Sequence, residues 1–583
     1  MKRKLERDNM TSKKRFLFYL KAEKKNVFFL VLTALLFVVA QLSQPFLLGK
    51  ALDYGRESNN SMFITMLAIA LGLAVLGTFT GYIFEVVAGD ISQNIIKKMR
   101  DDIYEKINSI SIKDFDIRTS GNLLQLEIRD MENVASGIFA VFKSLVQGIF
   151  TIIVTIIMMF MVNWILALGV ILLSPLSALM SSFVAKFSHK HFQKSAKLQA
   201  ELNAYSLETI KNIEIVQSLN YEKEVLETFK HKNEELRKES KISQFSAAWV
   251  NPSTRLVNNT IYVIIGVIGI IMLAYDTKLA IVFAVMSIGR LTSFLSYTNQ
   301  YSKPFNEISS VISEYETAKF SLKRVNEFLN LENDVDNGEK EIDHVENIEF
   351  KNMYFSYSEK QKLIEDYSLR IQKGQKVAIV GPTGAGKTTI INLLMRFYDP
   401  VNGQILVNGI DNLEIKKNSL RKNIGMVLQD TWIFDGTIYE NIAYTKKNAS
   451  KEEVIEAARK AHADTFIDLL PDGYDTHISA KEGLSEGQKQ MIAIARVMLL
   501  NPEVVILDEA TSNIDTRSEK LITNSFDEMM KEKTSIVIAH RLSTIEQADI
   551  IIVMKDGHII ETGKHEDLIE SKGFYYSMYS SQF

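Results

Sequence analysis

The 583-residue chain contains no cysteine. This excludes disulfides, thiolate metal sites and a cysteine nucleophile, and with the last an N-terminal cysteine-peptidase domain. Neither charge is in excess: 67 basic and 70 acidic residues leave a net of −3, so no nucleic-acid partner is indicated. Glycine and proline are scarce through 103–112 and 202–229, where apolar residues recur at helical spacing. These polar stretches therefore read as helix rather than disorder. No short apolar core with a small-residue cleavage site follows the basic N-terminal stretch, as a secretory signal requires. A full-length apolar span follows instead.

Long apolar runs dominate the first half, whereas the second half alternates strands and helices like a soluble α/β domain. A chain of this length needs more than one core. We place a transmembrane domain at 1–325, a linker at 326–345 and a second domain at 346–583. Six windows, at 27–48, 62–87, 137–162, 164–187, 247–275 and 279–297, approach or exceed the ~18–20 apolar residues that cross a bilayer as helix. Short connections at 49–61, 163 and 276–278 lie on one side. Two long polar segments, 88–136 and 188–246, lie on the other. These segments and the N-terminal MKRKLERDNMTSKKR are rich in Lys and Arg, so the positive-inside rule makes them cytoplasmic. Each long segment is expected to extend its spans as helix and to bend through a short transverse helix, at 121–134 in the first and 208–219 in the second.

A few polar residues interrupt the spans. Arg290 stands about eleven residues into the last window, roughly 16 Å deep and so near mid-bilayer. A charge there faces a partner or a wet cavity, and two roles stay open: a cavity or substrate contact, or a bridge between helices. Gln41, Gln44, Asn258 and Asn259 line the same cavity or hydrogen-bond helix to helix. Lys143 and Glu85 lie toward the cytoplasmic ends, where snorkelling accounts for them.

The strongest chemical signal is Gly381-Pro382-Thr383-Gly384-Ala385-Gly386-Lys387-Thr388, which fits G-x-x-x-x-G-K-[ST] at every fixed position. Glycines let backbone N–H groups close around phosphates, Lys387 reaches the outer phosphates, and the Thr388 hydroxyl ligates Mg²⁺. KVAIV at 376–380 reads as a buried strand. The run 389–397 reads as a helix whose positive N-terminus faces the phosphates. The chain holds a nucleoside triphosphate.

Further motifs follow in order. Leu484-Ser485-Glu486-Gly487-Gln488-Lys489-Gln490 resembles the signature motif of ABC (ATP-binding cassette) proteins. Val504-Val505-Ile506-Leu507-Asp508-Glu509, a buried strand ending in two carboxylates, resembles their Walker B motif, and Ser512-Asn513-Ile514-Asp515 their D-loop. Gln429 in VLQDTWIFDGTIYENI matches the Q-loop, and His540 in SIVIAHRLSTI the switch histidine. Tyr357 sits where the family stacks an aromatic on adenine; a core aromatic is the alternative. The resemblance covers the whole chain, because six spans followed by one cassette is the half-transporter layout of ABC exporters. The fold class it implies is an α-helical membrane domain, six transmembrane helices with long cytoplasmic extensions, fused to an α/β P-loop ATP-binding cassette.

The resemblance also implies the ligands, ATP and Mg²⁺. Tyr357, Gly381, Gly384, Gly386, Lys387, Thr388, Thr389, Ser485, Gly487, Gln488 and Asp515 would contact the nucleotide. Thr388, Gln429 and Asp508 would surround the metal, Asp508 acting through water. Glu509 would polarise the attacking water as general base, and His540 would contact the γ-phosphate and fix Glu509 and the water. Gln429 would sense metal and water and pass movement to the transverse helices.

One departure matters. In the family two cassettes meet head to tail, each ATP lying between one subunit's phosphate loop and the other's signature. The family reads LSGGQ where this chain reads LSEGQ. Glu486 adds a Cβ where close approach is wanted and a carboxylate beside an anion, a repulsion of about a few kcal/mol in a partly dry site. HISAKEG, just before it, also departs from the family's VGERG pattern. Together these imply a heterodimer. A different half-transporter with an intact LSGGQ completes the site around Lys387 and Glu509, while the site using Ser485 and Glu486 binds ATP and hydrolyses it slowly. A homodimer with Glu486 turned outward is the alternative.

The activity implied is ATP hydrolysis coupled to export by alternating access, in the bilayer of a bacterial plasma membrane. Its substrates would be amphipathic drugs, lipids or peptides, with multidrug export favoured. The alternative class is an ATP-binding regulatory subunit gating a partner, against which Glu509 and His540 stand. The spans exclude a soluble cassette protein acting on DNA or ribosomes.

Overall fold

The computed structural model describes residues 10–116, 118, 120–274, 286–357, 362–428, 431–479, 483–508, 515–538 and 545–581. The chain forms two compact units, Met1–Ser109 with Arg118–Glu332, and Ile110–Ile117 with Asn333–Phe583.

Helices come first along the chain: α1 (Ser12–Ala22), α2 (Lys24–Arg56), α3 (Asn60–Ile107), α4 (Ile112–Asp116), α5 (Gly121–Val162), α6 (Trp164–Lys211), α7 (Ile213–Ser218), α8 (Glu222–Ala274) and α9 (Ile288–Leu329). All but α4 belong to the first unit. Among the described residues four segments, α2, α3, α5 and the Pro252–Ala274 part of α8, are long and apolar enough to span a bilayer; α6 opens with a shorter apolar stretch, Trp164–Leu176. The most apolar window of α3 is only 11% buried, and Phe28, Leu71 and Leu172 are 71%, 69% and 77% exposed. Apolar surface on this scale is stable against hydrocarbon rather than water. At 48 residues, α3 is roughly 72 Å long, more than twice the ~30 Å hydrocarbon core. It therefore continues well into the cytoplasm, as the periodicity of 103–112 suggested. Within the unit α2 packs along α3, α8 along α6, and α9 against α2, α5 and α8.

The turns show why the helices break where they do. Asn163 alone separates α5 from α6, and its Oδ1 accepts from the N–H groups of Ile165 (3.0 Å) and Leu166 (3.1 Å), so one residue both turns the chain and caps the next helix. Between α2 and α3 the connection narrows to residues 57–59, shorter than the 49–61 expected.

The last window needs a larger correction. Helix α9 starts only at Ile288, with the Ser287 Oγ accepting from Arg290 N–H at 3.0 Å. Asp53 of α2 completes the cap, accepting from Ser287 Oγ (2.6 Å) and Gly289 N–H (2.9 Å). Arg290 thus lies in the first turn of α9, exposed, and not eleven residues deep in a helix; the expected connection at 276–278 lies outside the described residues. Beside this cap the two helices meet through glycines. A Cβ on Gly289 would sit 1.9 Å from the Gly49 carbonyl oxygen and 2.6 Å from Asp53 Oδ2. Gly289→Ala is therefore expected to cost about 1–3 kcal/mol. Thermal unfolding in lipid checks this, and an unchanged midpoint would mean that α2 and α9 stand apart here.

The first transverse helix is also corrected. The short helix of that segment is α4, and 121–134 instead forms the start of α5. The run 121–134 is held by α9: Leu123, Leu126, Met131 and Val134 are buried, Asn133 Nδ2 donates to Ser321 Oγ at 3.1 Å, and Arg324 lies 3.4 Å from Asp130. The break falls at Asn108-Ser109, where α3 ends. The second short helix, α7, falls inside 208–219, between Asn212 and a left-handed Asn220 (φ 53°). Lys143 Nζ and Glu85 Oε1 pair with each other at 2.7 Å.

In the second unit β1 (Asn347–Phe355), β2 (Ile364–Gln372), β4 (Asn402–Val407) and β5 (Ile410–Asp411) form an antiparallel sheet ordered β2-β1-β4-β5. A six-stranded sheet, ordered β12-β11-β3-β10-β9-β6, joins β3 (Lys376–Val380), β6 (Ile424–Val427), β9 (Val504–Asp508), β10 (Thr534–Ile538), β11 (Ile550–Lys555) and β12 (His558–Gly563). Its strands are parallel except β12. A further pair is β7 (Gly436–Thr437) with β8 (His477–Ile478). The parallel strands read as unbroken apolar runs because both faces are covered. Val377 and Ile379 of β3 enter the core shared with the antiparallel sheet, and Ala378 and Val380 enter a second core. In β9, Val504 and Ile506 alternate with Val505 and Leu507 in the same way. From Asn333 onward the chain is bonded into this unit: Asp336 accepts from Lys417 N–H (2.7 Å) and Gly338 N–H (3.2 Å).

Candidate nucleotide site

Sheet register brings the motif-bearing loops to one edge. Ile538 of β10 stands level with Ile379 of β3 and with Asp508 of β9, and Val427 of β6 with Leu507. The phosphate loop leaves the carboxyl end of β3 at Gly381, and open parallel sheets bind ligands outside these carboxyl ends. Gln429, Glu509 and His540 follow β6, β9 and β10 by one or two residues and lie outside the described residues, as do Ser512, Asn513, Ile514 and the residues Ala480, Lys481 and Glu482.

The loop leads into α10 (Lys387–Leu394), which begins two residues earlier than expected and stops before the left-handed Arg396 (φ 52°). Two glycines are required by geometry. Gly386 is left-handed at φ 96°, and a Cβ on Gly381 would meet the Met554 carbonyl oxygen at 2.2 Å. Gly384 is also left-handed, with φ 85°. Lys387 is 8% exposed, and its Nζ donates back to the carbonyls of Gly381 (2.7 Å) and Pro382 (3.1 Å). Burial lowers its pKa, while the Asp508 charge acts in the opposite sense. An ammonium so placed gains by exchanging neutral carbonyls for phosphate oxygens. The Thr388 side chain is exposed at the helix start, and Thr389 is buried. Glycine-loop N–H groups, an ammonium, a hydroxyl and the Asp508 carboxylate form a donor set for polyphosphate and a hard divalent cation.

Tyr357 is 46% exposed, so it is not a core aromatic. Its hydroxyl lies 3.3 Å from Thr389 Oγ1 and accepts from Asn392 Nδ2 at 3.3 Å. The ring stands edge-on to Phe355 and Tyr398, each 4.9 Å away.

The signature opens α11 (Glu486–Leu500). Ser485 and Gln488 form a reciprocal cap: Ser485 Oγ accepts from Gln488 N–H (3.3 Å) and Gln488 Oε1 from Ser485 N–H (2.9 Å). Gly487 is buried in the first turn. Glu486, first in the helix, has a side chain 62% exposed and accepts from Lys489 Nζ at 2.7 Å. Sequence reading passed over Lys489, although its i,i+3 spacing from Glu486 was the available signal. Asp515 caps α12 (Thr516–Met530), accepting from Arg517 N–H (3.1 Å) and Ser518 N–H (3.0 Å). These bonds to the charged form, led by Ser518, lower its pKa.

In the first unit Gln41 and Gln44 lie half-buried on α2, and Asn258 and Asn259 lie on α8. With Arg290 on α9 they occupy three helices, of which α9 packs against the other two.

Residues 27–305 match the ABC transporter transmembrane region, and residues 364–512 match the ABC transporter domain. The chain is 34% identical over 589 residues, spanning 100% of it and 96% of the relative, to an uncharacterized ABC transporter ATP-binding protein, YfiC, of Bacillus subtilis. It is 37% identical over 488 residues, 83% of this chain and 76% of the relative, to a fatty acid ABC transporter ATP-binding/permease protein of Mycobacterium tuberculosis. It is 33% identical over 543 residues, 92% and 91% of the two chains, to an ATP-dependent lipid A-core flippase of Haemophilus influenzae. Among solved structures, a bacterial Atm1-family ABC exporter with ATP bound superimposes with a TM-score of 0.76 at 26% identity, over 96% of this chain and 98% of that one. The protein crosses the plasma membrane several times, with its cassette in the cytoplasm, and couples ATP hydrolysis to transport. A helical membrane domain continuous with one cassette, matched along its whole length by such relatives, makes this chain a member of the ABC transporter family, of the exporter half-transporter type.

Proposed function

We propose that this chain is one half of a heterodimeric, ATP-driven exporter of amphipathic molecules, with one fast and one slow nucleotide site. Relatives named for fatty acid transport and lipid A-core flipping support a lipid-like cargo, and one named for multidrug resistance supports drugs. Tyr357, Gly381, Gly384, Gly386, Lys387 and Thr389 hold ATP, while Thr388, Asp508 and Gln429 hold Mg²⁺. When bound, that ion neutralises charge on the phosphates. Glu509 takes the proton of the attacking water, and His540 and Gln429 orient it. Ser485, Gly487, Gln488 and Asp515 serve the site shared with the partner. ATP favours the closed cassette pair by binding it better than the open one, and this differential affinity drives the change of access.

A partner is supported by the cytoplasmic tip around α7, where Ile210, Ile215 and Leu219 are 68%, 57% and 70% exposed. A cluster of this kind in the aqueous part of the molecule marks an interaction surface. That the partner differs from this chain rests on Glu486. Its position at the start of α11 puts a Cβ and a side chain at the helix end that would meet the γ-phosphate. A homodimer is the second reading, favoured by the Glu486–Lys489 pair, which offsets the carboxylate charge though not its bulk.

ATPase activity of the chain alone in lipid, beside its Glu486→Gly variant, separates the two. We expect near-zero hydrolysis from the unaltered chain and a rise of about tenfold or more in Glu486→Gly, as a blocked transition-state contact is restored. Brisk hydrolysis by the unaltered chain would instead establish the homodimer.

A further inference from the structure

Tyr398 lies outside every nucleotide motif, yet it links the site to the short segment 110–117, which belongs to the second unit although it lies between α3 and α5 in the chain. Its ring stands edge-on to Tyr357, with centroids 4.9 Å apart and an interplanar angle of 90°, and also packs against Phe355 at 5.7 Å. Its hydroxyl donates to Asp116 Oδ2 at 2.5 Å, across 282 residues of sequence. Burial, followed by the Asp116 hydrogen bond and charge, raises the Tyr398 pKa. The hydroxyl therefore remains a donor at neutral pH.

Asp116 ends α4, which joins α3 to α5 along the chain. With five residues and none buried, α4 has little packing of its own within the second unit. Beside it Ile110 bridges to Asn333, Ser111 and Lys113 line a cavity of about 230 Å³ with Tyr357, Arg396 and Tyr398, and Asp116 accepts from Tyr398. Ser111 and Asp114 bond to each other, with Asp114 N–H donating to Ser111 Oγ at 3.1 Å and the hydroxyl returning to Asp114 Oδ2 at 2.9 Å. A charge-assisted bond is roughly twice as strong as a neutral one, so the Tyr398–Asp116 bond is a firm tie on the end of α4.

We propose that Tyr398 and Asp116 are a positioning pair through which nucleotide on Tyr357 fixes α4 in place. The inference rests on Tyr357 being the adenine platform. A base stacked on one face of Tyr357 restrains the ring, and the edge-on contact passes that restraint to Tyr398. The hydroxyl then holds the carboxylate at the end of α4. Such coupling is reciprocal: whatever ATP adds to α4 docking, docked α4 adds to ATP binding.

Hydrogen exchange over residues 108–118 of the full chain in lipid nanodiscs tests this, with and without a non-hydrolysable ATP analogue and Mg²⁺. Nucleotide is expected to slow exchange there by about fivefold. Tyr398→Phe, which keeps the ring and removes the donor, should abolish the slowing and, by the same reciprocity, weaken nucleotide binding by no more than about fivefold. Asp116→Asn, which keeps a neutral acceptor, should retain about half of it. Equal slowing in Tyr398→Phe and the unaltered chain, or none in either, overturns the relay. Tyr357→Ala separates its failure from that of the platform, since loss of base stacking should weaken nucleotide binding by about tenfold. If Tyr357→Ala binds normally, the platform fails and the relay falls with it; if it binds weakly and Tyr398→Phe still shows the slowing, the relay alone fails.

Discussion

Glu509→Gln should lower steady-state ATP hydrolysis by about 10²–10⁴-fold, the range a positioned general base contributes. Nucleotide affinity should change by less than about twofold, because the amide has the same shape and contacts no phosphate that the carboxylate did not. The scaffold gives the substitution little room to act indirectly. Val504, Val505, Ile506 and Leu507 of β9 are 0–1% exposed, and β9 is paired on both sides, with β10 and β6, so the strand end stays fixed. Asp508, next to Glu509, remains to attract Lys387. Phosphate release, in whichever assembly hydrolyses, and nucleotide binding measured on the same preparation check both halves. Retained turnover would move the base to another residue, and lost binding would mean that Glu509 holds nucleotide rather than activating water.

Lys387→Ala acts on the other half of that separation. It should weaken ATP binding by about 10²-fold or more, because each hydrogen bond to a charged group is worth about 1.5–3 kcal/mol and two phosphates are within a lysine's reach. The structure adds a second consequence. Lys387 Nζ now donates to the carbonyls of Gly381 and Pro382, so its removal also frees the first turn of the loop. Gly381 cannot compensate by shifting toward β11, since the Met554 carbonyl closes that side. Binding and hydrolysis are thus expected to fall together, whereas Glu509→Gln separates them. Titration of a fluorescent ATP analogue measures the first effect. Near-normal affinity in Lys387→Ala would place the phosphates elsewhere.

Features with local causes were legible in the sequence. The buried parallel strands announced themselves because their two covered faces leave no polar position, as in KVAIV at β3. The phosphate loop did so because its glycines answer to backbone geometry at Gly386 and to close approach at Gly381. The single-residue turn at Asn163 was equally clear, since a residue that caps the next helix needs nothing distant. Most membrane windows were legible for a similar reason: hydrocarbon selects length and apolarity before any helix meets another. Glu486 stood out as a departure, but its Lys489 partner was passed over, although both lie on one helix turn.

Tertiary structure decided what depends on residues far apart in the chain. Helix α9 begins at Ile288 because Asp53 of α2, more than two hundred residues earlier, accepts from the Gly289 N–H and from the capping Ser287 hydroxyl; that contact moved Arg290 from mid-helix to the helix start. Residues 121–134 continue into α5 because α9 holds them through Ser321 and Arg324, leaving the short helix to 112–116. The Tyr398–Asp116 bond has no trace in local pattern. Periodicity and motif chemistry reflect a residue's neighbours along the chain, so they determined what this protein binds and how its strands and spans form. Which helix end is capped, and which ring meets which carboxylate, depends on partners brought together only by folding.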